Sequence, residues 1–487
     1  MRLFAAVMPG FRFAVGRPPA VGASAMISAS NPFAVRAGLR MLERGGNAVD
    51  AALAAIAMLG VTEPMNVGVG GDAFALVADR DAVSGLDAAG PAPIRAAPLA
   101  PVQRRGPRSV TVPGAVAGWA ALSERFGRRG LDACLADAID AAEHGLPLCA
   151  RAATLWGREH RCPSEFGPRA PRVGQRIALP ELGATLRRIA HEGPSAIYSG
   201  PIARAIAAAS WLDEQDLAAY SPRWVSPLRA AYRDREVLEL PPPTQGVVAL
   251  EALRLLEPDR PTLSNLVGAV ALALDDGAAH VRDGADVDWL LEPGRLDARR
   301  RQSPRPVPPI DGGTSHVCVV DSDRLVVSLI SSVFGSFGSG VVAPGTGIVL
   351  QNRGACFAVD GQVRPGRRPY HTIIPAMIAG GGEVTAAFGV VGGHLQAQAH
   401  VQLVSALLDD GLDPQAALDR SRFRIEGSAV LLEQGLAPAA DELRARGYEP
   451  VVSRDWTRFG CGQAIVIDDG VLLGGADPRL DGYAAGL

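Results

Sequence analysis

The stretch 311-DGGTSHVCVVD-321 sets two glycines and a threonine directly ahead of an apolar run. A threonine hydroxyl is a poor nucleophile until a base removes its proton. One economical base is the threonine's own α-amine, available once the residue heads a chain. That amine has a pKa of about 7.7–8.0, close to working pH, whereas a lysine at about 10.4 stays protonated. Exposing it requires cutting the bond between Gly313 and Thr314, and the threonine can do this itself. Its oxygen attacks the Gly313 carbonyl, and water opens the resulting ester. Gly313 suits that position, since the absence of a side chain lets the peptide bend and leaves the attack unhindered. Taken alone, Gly-Gly-Thr reads as a turn feeding a strand, and only further evidence lifts the nucleophile reading above it.

The elements around this stretch must hold the threonine still. Residues 316–321 and 325–332 alternate as strands across a turn at 321–324, which is hairpin spacing. Just upstream, 290–313 carries arginine and proline and little that can be buried, so it reads as a mobile surface connection. The chain therefore divides into a helix-rich part, 1–313, and a strand-rich part, 314–487. In the first part, Asn31 and Pro32 suit the N-cap and first position of a helix that Gly45 and Gly46 end. Residues 49–59 are alanine-rich on every side and predict a buried helix. The segment 66-NVGVGGDAFALVAD-79 lacks both Gly-x-Gly-x-x-Gly spacing and a following Lys-Ser/Thr, so it predicts a tight turn feeding a strand at 73–77. Further helices are expected from Pro113 and through 396–410, and a strand, a proline-stiffened loop and a helix over 236–253.

Composition bounds the rest. A chain of 487 residues exceeds one simple core, so two lobes or one layered domain are expected. A formal charge of −3 gives no electrostatic reason for a nucleic acid or an anionic membrane as partner. No run approaches the roughly 20 apolar residues of a membrane span. The start, MRLFAAVMPGFRFAVGRPPA, is broken by Pro9 and Arg12 before it resembles a secretory segment, which points to the cytoplasm. None of the six cysteines forms a C-x-x-C pair, and they are expected to be reduced thiols. His316, His371, His394 and His400 share no helical i,i+4 spacing, so neither a metal nor a cofactor is expected.

Eight segments, in order, resemble the gamma-glutamyltranspeptidase family of N-terminal-nucleophile hydrolases: NPFAVRAGLRMLERGGNAVDAALA, TEPMNVGVGGDAFALV, VPGAVAGW, HEGPSAIYSGPIARAI, LPPPTQGVVALEAL, TSHVCVVD, FGSGVVAPGTGIVLQNRG and ADPRLDGYAAG. The resemblance spans 17–486. It implies an α+β fold, a four-layer αββα sandwich with helices outside and two antiparallel sheets inside. It also implies a precursor that cleaves itself between Gly313 and Thr314. The product would be a heterodimer of its own fragments, with Thr314 as nucleophile and, through its α-amine, general base. The family's oxyanion donors are a pair of glycine amides, which match Gly392 and Gly393 in 389-GVVGGHLQAQ-398. Two glycines ahead of a predicted helix also expose amides backed by its positive end.

The family's γ-glutamyl reader is where the resemblance fails. In 351-QNRGACF-357, Cys356 stands where the amine-binding aspartate of Asn-Asn-Gln-Met-Asp-Asp-Phe belongs, and Arg353 replaces the glutamine. The Ser-Ser pair of Arg-Pro-Leu-Ser-Ser becomes His371 and Thr372. Ser332 is the nearest match to the carboxylate-binding asparagine, and Arg95 and Arg108 are loose matches to a family arginine. The pattern resembles the divergent branch of the family, with amidohydrolases of small acids such as oxamate and antibiotic-pathway members that break a carbon–carbon bond beside an oxalyl group. The expected substrate is thus a small carboxylate-bearing molecule that is not a γ-glutamyl compound. A true gamma-glutamyltransferase or glutathione hydrolase, and an unprocessed binding protein of the same fold, are the alternatives.

Overall fold

The structure is a computed structural model and describes residues 16–80, 82–96, 101–158, 162–166, 171–257 and 261–487. The opening segment on which the cytoplasmic reading rests lies mostly outside them. Two seven-stranded sheets, each antiparallel throughout, form the centre. The first runs, in spatial order, Tyr483–Gly486, Met26–Ala29, Gly313–Val320, Val326–Phe334, Asp72–Asp79, Ala82–Ala88 and Arg223–Val225. The second runs Ala20–Gly22, Val471–Ala476, Cys461–Asp468, Glu383–Val391, Ala376–Gly380, Arg235–Glu239 and Leu228–Tyr232.

Period-two alternation sorts the side chains into layers. Along Gly313–Val320, Cys318 and Val320 pack between the sheets with Phe74, Ile330, Met377 and Ile465. Val317 and Val319 face the other way, onto the helices Pro32–Glu43, Ala48–Thr62 and Ala115–Phe126. The helices Gly246–Leu256, Leu263–His280 and Leu395–Leu408 cover the outer face of the second sheet. The result is the expected order: helix, sheet, sheet, helix.

Local chemistry accounts for the helices nearest the site. The Asn31 side chain accepts from the Phe33 amide, Pro32 takes the first helical position, and Gly45 ends the turn at φ 82°. The helix Ala48–Thr62 is buried along its whole length, as its all-round alanine content requires. The Asp321 carboxylate, in the turn between the two central strands, accepts from the Ala48 amide at 2.8 Å. A negative charge is thereby set on the helix's positive end, fixing that helix to the hairpin.

The stretch 290–313 departs from the expected bare surface connection over its first half. It contains a helix, Pro293–Arg299, in which Leu296 and Arg299 are buried. Arg299 binds Asp275 and Asp276, both at 2.7 Å. Sequence alone showed arginines without their partners, which lie on a helix some 20 residues upstream. No helix among the described residues is long and apolar enough to cross a membrane.

Asp477 ties the small C-terminal elements to the second sheet. It is fully buried and accepts from Arg422 (2.6 Å), Arg479 (3.0 Å) and the Gly462 amide (3.0 Å). Burial raises its carboxyl pKa, but the two guanidinium groups outweigh burial and hold it below the usual range. Its contribution to stability is therefore present above the unfolded value of about 3.9 and fades as pH falls through and below it. Asp477→Asn should cost about 3–5 kcal/mol at neutral pH in denaturant unfolding, because two buried cations lose their counter-charge. A cost under about 1 kcal/mol would show that the arginines find other partners.

Candidate active site

Thr314 is almost completely buried at the head of a central strand. Gly313 is opposite Phe334 and Ser315 is opposite Ser331, so the register slips by one residue at the threonine. Such a bulge re-aims the residue it contains. The Ser332 hydroxyl donates to the Gly313 carbonyl at 2.6 Å and accepts from the Phe334 amide at 2.8 Å. On the other side, the Ser315 hydroxyl donates to Glu63 at 2.8 Å, and Glu63 also accepts from Ser30 at 2.9 Å. Burial raises the Glu63 carboxyl. A side chain at Gly313 would meet the Asn66 amide oxygen at 2.5 Å, and the Asn66 carbonyl accepts from the Val333 amide. The residues flanking the bond between Gly313 and Thr314 are thus gripped from both faces of the sheet.

Ser332 pairs in register with Asp72 on the next strand. Asp72 begins a second cluster. Its carboxylate faces His371 Nε2 at 3.2 Å, while His371 Nδ1–H donates to the Pro369 carbonyl at 2.8 Å. Arg353 Nε lies 3.7 Å from Asp72 Oδ2, an ion pair too long for a hydrogen bond. Arg353 Nη1 reaches Thr372 Oγ1 at 3.3 Å and Cys356 Sγ at 3.8 Å. The five residues expected to read the substrate, Ser332, Arg353, Cys356, His371 and Thr372, are therefore brought together around Asp72.

Gly392 and Gly393 immediately precede His394 and the helix Leu395–Leu408, with φ of 133° and 65°. Gly393 has a second reason to be glycine: a Cβ there would sit 1.9 Å from the Ile310 carbonyl. The His394 amide donates to that same carbonyl at 2.9 Å, so residues leading to Thr314 lie across the glycine pair. Gln245 joins the two clusters, donating to the carbonyls of Thr372 (2.5 Å) and Gly393 (3.0 Å).

A cavity of about 730 Å³ opens beside these groups, and Ile310, Asp311, Phe334, Cys356, Tyr370 and His394 are among the residues that line it. Arg353, fully buried, is not on its wall. It stands one layer behind, over the Phe334 ring at 4.5 Å. Arg95 and Arg108 do not line the cavity either. Arg95 is exposed and pairs with Asp213 at 3.1 Å, and the arginines at the cavity are Arg104 and Arg105.

A threonine at the head of a central strand, in two antiparallel sheets enclosed by helices, is the layout of the N-terminal-nucleophile hydrolases. The chain belongs to the gamma-glutamyltranspeptidase family, whose model matches residues 34–487. It is 33% identical over 523 residues to an oxamate amidohydrolase proenzyme from Klebsiella pneumoniae, covering 96% of this chain and 99% of that one. It is 31% identical over 531 residues to a glutathione hydrolase-like YwrD proenzyme from Bacillus subtilis, again covering 96% and 99%. The crystal structure of a cephalosporin acylase from Bacillus halodurans superposes with a TM-score of 0.91 at 35% identity over 99% of both chains. The protein is accordingly an enzyme of the hydrolase and acyltransferase kind.

Sequence reading missed Glu63, Asn66, Asp72, Gln245 and Phe334. Asp72 stood in view as the acid of Val-Gly-Gly-Asp, but a glycine-rich turn before a strand does not show which residues the acid will meet. Gln245 stood likewise in Pro-Pro-Pro-Thr-Gln-Gly.

The four histidines singled out in the sequence are all buried. Burial lowers His316 to about 3 and, with Arg424, His394 to about 4. Burial lowers His371, helped by Arg353, and pushes His400 well below the ordinary value. The rings of His316, His394 and His400 should stay neutral from pH 8 to pH 5. Their imidazole resonances in a proton NMR titration should be flat over that range, and a midpoint near 6.5 for any of them would contradict the burial argument.

Proposed function

We propose that this protein is an autoprocessed N-terminal-threonine hydrolase or acyltransferase acting on a small carboxylate-bearing substrate other than a γ-glutamyl compound. The observation that carries the reading is the Ser332 hydroxyl seated on the Gly313 carbonyl, directly before Thr314. Attack by Thr314 Oγ1 on that carbonyl places negative charge on its oxygen, where Ser332 already donates. The C–N bond then breaks, the nitrogen takes the hydroxyl proton, and an ester joins Gly313 to Thr314. Water hydrolyses it, leaving a Gly313 carboxylate and a free Thr314 amine and hydroxyl.

In turnover the same hydroxyl, its proton taken by the α-amine, attacks the substrate acyl carbon. The oxyanion falls to the Gly392 and Gly393 amides, backed by the helix Leu395–Leu408. The amine proton passes to the leaving group, and water or an amine then releases the acyl group. Departure of the residues that end at Gly313 uncovers the glycine pair. The substrate class rests on Cys356, whose buried thiol has a raised pKa and carries no charge for an ammonium group, and on the arginines at and behind the cavity. The oxamate-directed relative supports the same class.

A denaturing gel of the purified protein should show two bands, the smaller starting at Thr314 by N-terminal sequencing. Thr314→Ala should remain one chain, and Ser332→Ala should cleave about a hundredfold more slowly, since one donor to the developing oxyanion is lost. A single full-length wild-type band defeats the reading.

The acid limb of the rate should follow one ionisation, that of the α-amine, at or below about 7.7–8.0. kcat/KM should be higher for oxamate than for L-γ-glutamyl-4-nitroanilide. The opposite order would make the protein an ordinary γ-glutamyl enzyme.

A further inference from the structure

The α-amine of Thr314 is part of a peptide bond until the cut is made, so it cannot prepare that cut. Another group must ready the bond between Gly313 and Thr314, and Glu63 reaches both sides of it. Beyond the bond, the Ser315 hydroxyl donates to Glu63 Oε2 at 2.8 Å. Before it, the Asn66 side-chain amide donates to the same oxygen at 3.4 Å. Asn66 Oδ1 in turn lies against Gly313, where a Cβ would meet it at 2.5 Å. The Ser30 hydroxyl holds Glu63 Oε1 at 2.9 Å.

This arrangement is stiffly mounted. Glu63 ends the wholly buried helix Ala48–Thr62, its amide donating to the Leu59 carbonyl at 2.7 Å. Its carbonyl accepts from the Asn66 amide at 2.8 Å, and the Asn66 carbonyl accepts from the Val333 amide at 3.0 Å. All three side-chain partners are neutral donors, the set that an ionised carboxylate accepts from. Protonation would turn one oxygen into a donor, so at least one contact would have to reverse or break, and an amide nitrogen cannot reverse. Burial raises the Glu63 pKa above the ordinary carboxylate value, while the three donors pull it down. The other titratable groups facing it are the Asp481 carboxylate and the thiols of Cys149 and Cys461. Burial holds both thiols above their ordinary range, so neither titrates below pH 8.

We propose that Glu63 is a positioning residue for self-cleavage, a carboxylate clamp that holds Gly313 through Asn66 and the nucleophile's strand through Ser315. Ionised, it accepts from all three donors and fixes the bulge for attack. The cut then releases one arm only: Gly313 leaves Asn66, while Ser315 stays on Glu63 and keeps the new terminus in place. Cleavage should run at full rate above the folded-state pKa of Glu63 and fail as pH drops through it. This rests on the autoprocessing reading above and adds which residue readies the bond and what gates it.

The test uses full-length precursor from a short cell-free translation, moved to buffers from pH 8 to pH 4.5 and followed on a denaturing gel. The wild-type rate should fall in acid, approaching about tenfold per pH unit, and recover on return to pH 8. Glu63→Gln should cleave about tenfold or more slowly at pH 8, since small misplacements are costly, and should lack that acid limb. Ser30→Ala changes neither residue of the bond, yet it removes a donor that lowers the Glu63 pKa, so its acid limb should move to higher pH. A glutamate with a purely structural role would leave the limb in place in both variants. The wild-type limb retained in either folded variant, or a wild-type rate flat from pH 8 to pH 4.5, overturns the inference and leaves the autoprocessing reading intact. If Glu63→Gln does not fold, the limb of Ser30→Ala decides alone. Wild-type chain that stays whole at every pH sinks the autoprocessing reading instead.

Discussion

The pairing of Gly313–Val320 with Val326–Phe334 is the constraint on which the rest turns. These two strands lie at the middle of the first sheet, flanked by Met26–Ala29 and Asp72–Asp79. A bulge at Thr314 interrupts their ladder at its end, just where the bond of interest lies. Were that bond further along the strand, cutting it would break the hydrogen bonds of the core. Placed at the bulge, it can be strained and severed while the ladder beyond Ser315 stays whole. The hydroxyl of Ser332 and the acid of Asp72 follow from the same register, because their strands fix both opposite the slip.

Much of this layout was legible in the chain, for identifiable reasons. Asn31, Pro32 and Gly45 act through local backbone chemistry, so their sequence predicts their structure directly. The alanines of Ala48–Thr62 announce burial because no polar face exists to meet water. Thr314, Gly392 and Gly393 were legible through resemblance, and the structure sets the pair beneath the residues that precede the threonine. What stayed hidden needs contacts between distant residues. Nothing near Glu63 in sequence says that it will hold Ser315 and Ser30 together. Arg299 looked like surface charge because Asp275 and Asp276 could not be assigned to it. Arg353 was placed among the residues that read the substrate, yet it stands behind the cavity wall, over the Phe334 ring, whose backbone conformation no pattern reveals.

Several polar groups are buried around the site and hold one another. Ser328 holds His316 (2.8 Å), Glu239 holds His400 (2.6 Å), and Gln245 bridges Thr372 to Gly393. Buried polar groups are costly unless matched, so this network specifies one arrangement of the sheets and tolerates few others.

Both sheets draw strands from each side of residue 313, an interleaving with a consequence for the protein's history. Ala20–Gly22 completes the sheet that holds Cys461–Asp468, and Tyr483–Gly486 edges the other, beside Met26–Ala29. In one continuous chain these pairings are intramolecular, and their cost is the closure of loops, which grows only slowly with length. After a cut, the same pairings require two separate molecules to meet and interleave, at the expense of translational freedom. If the chain is cut before Thr314 as proposed, the intact polypeptide is the template for a shape that the two pieces would hold but could not easily regain. An enzyme made this way would be built once: unfolding it would discard the assembly instructions along with the structure.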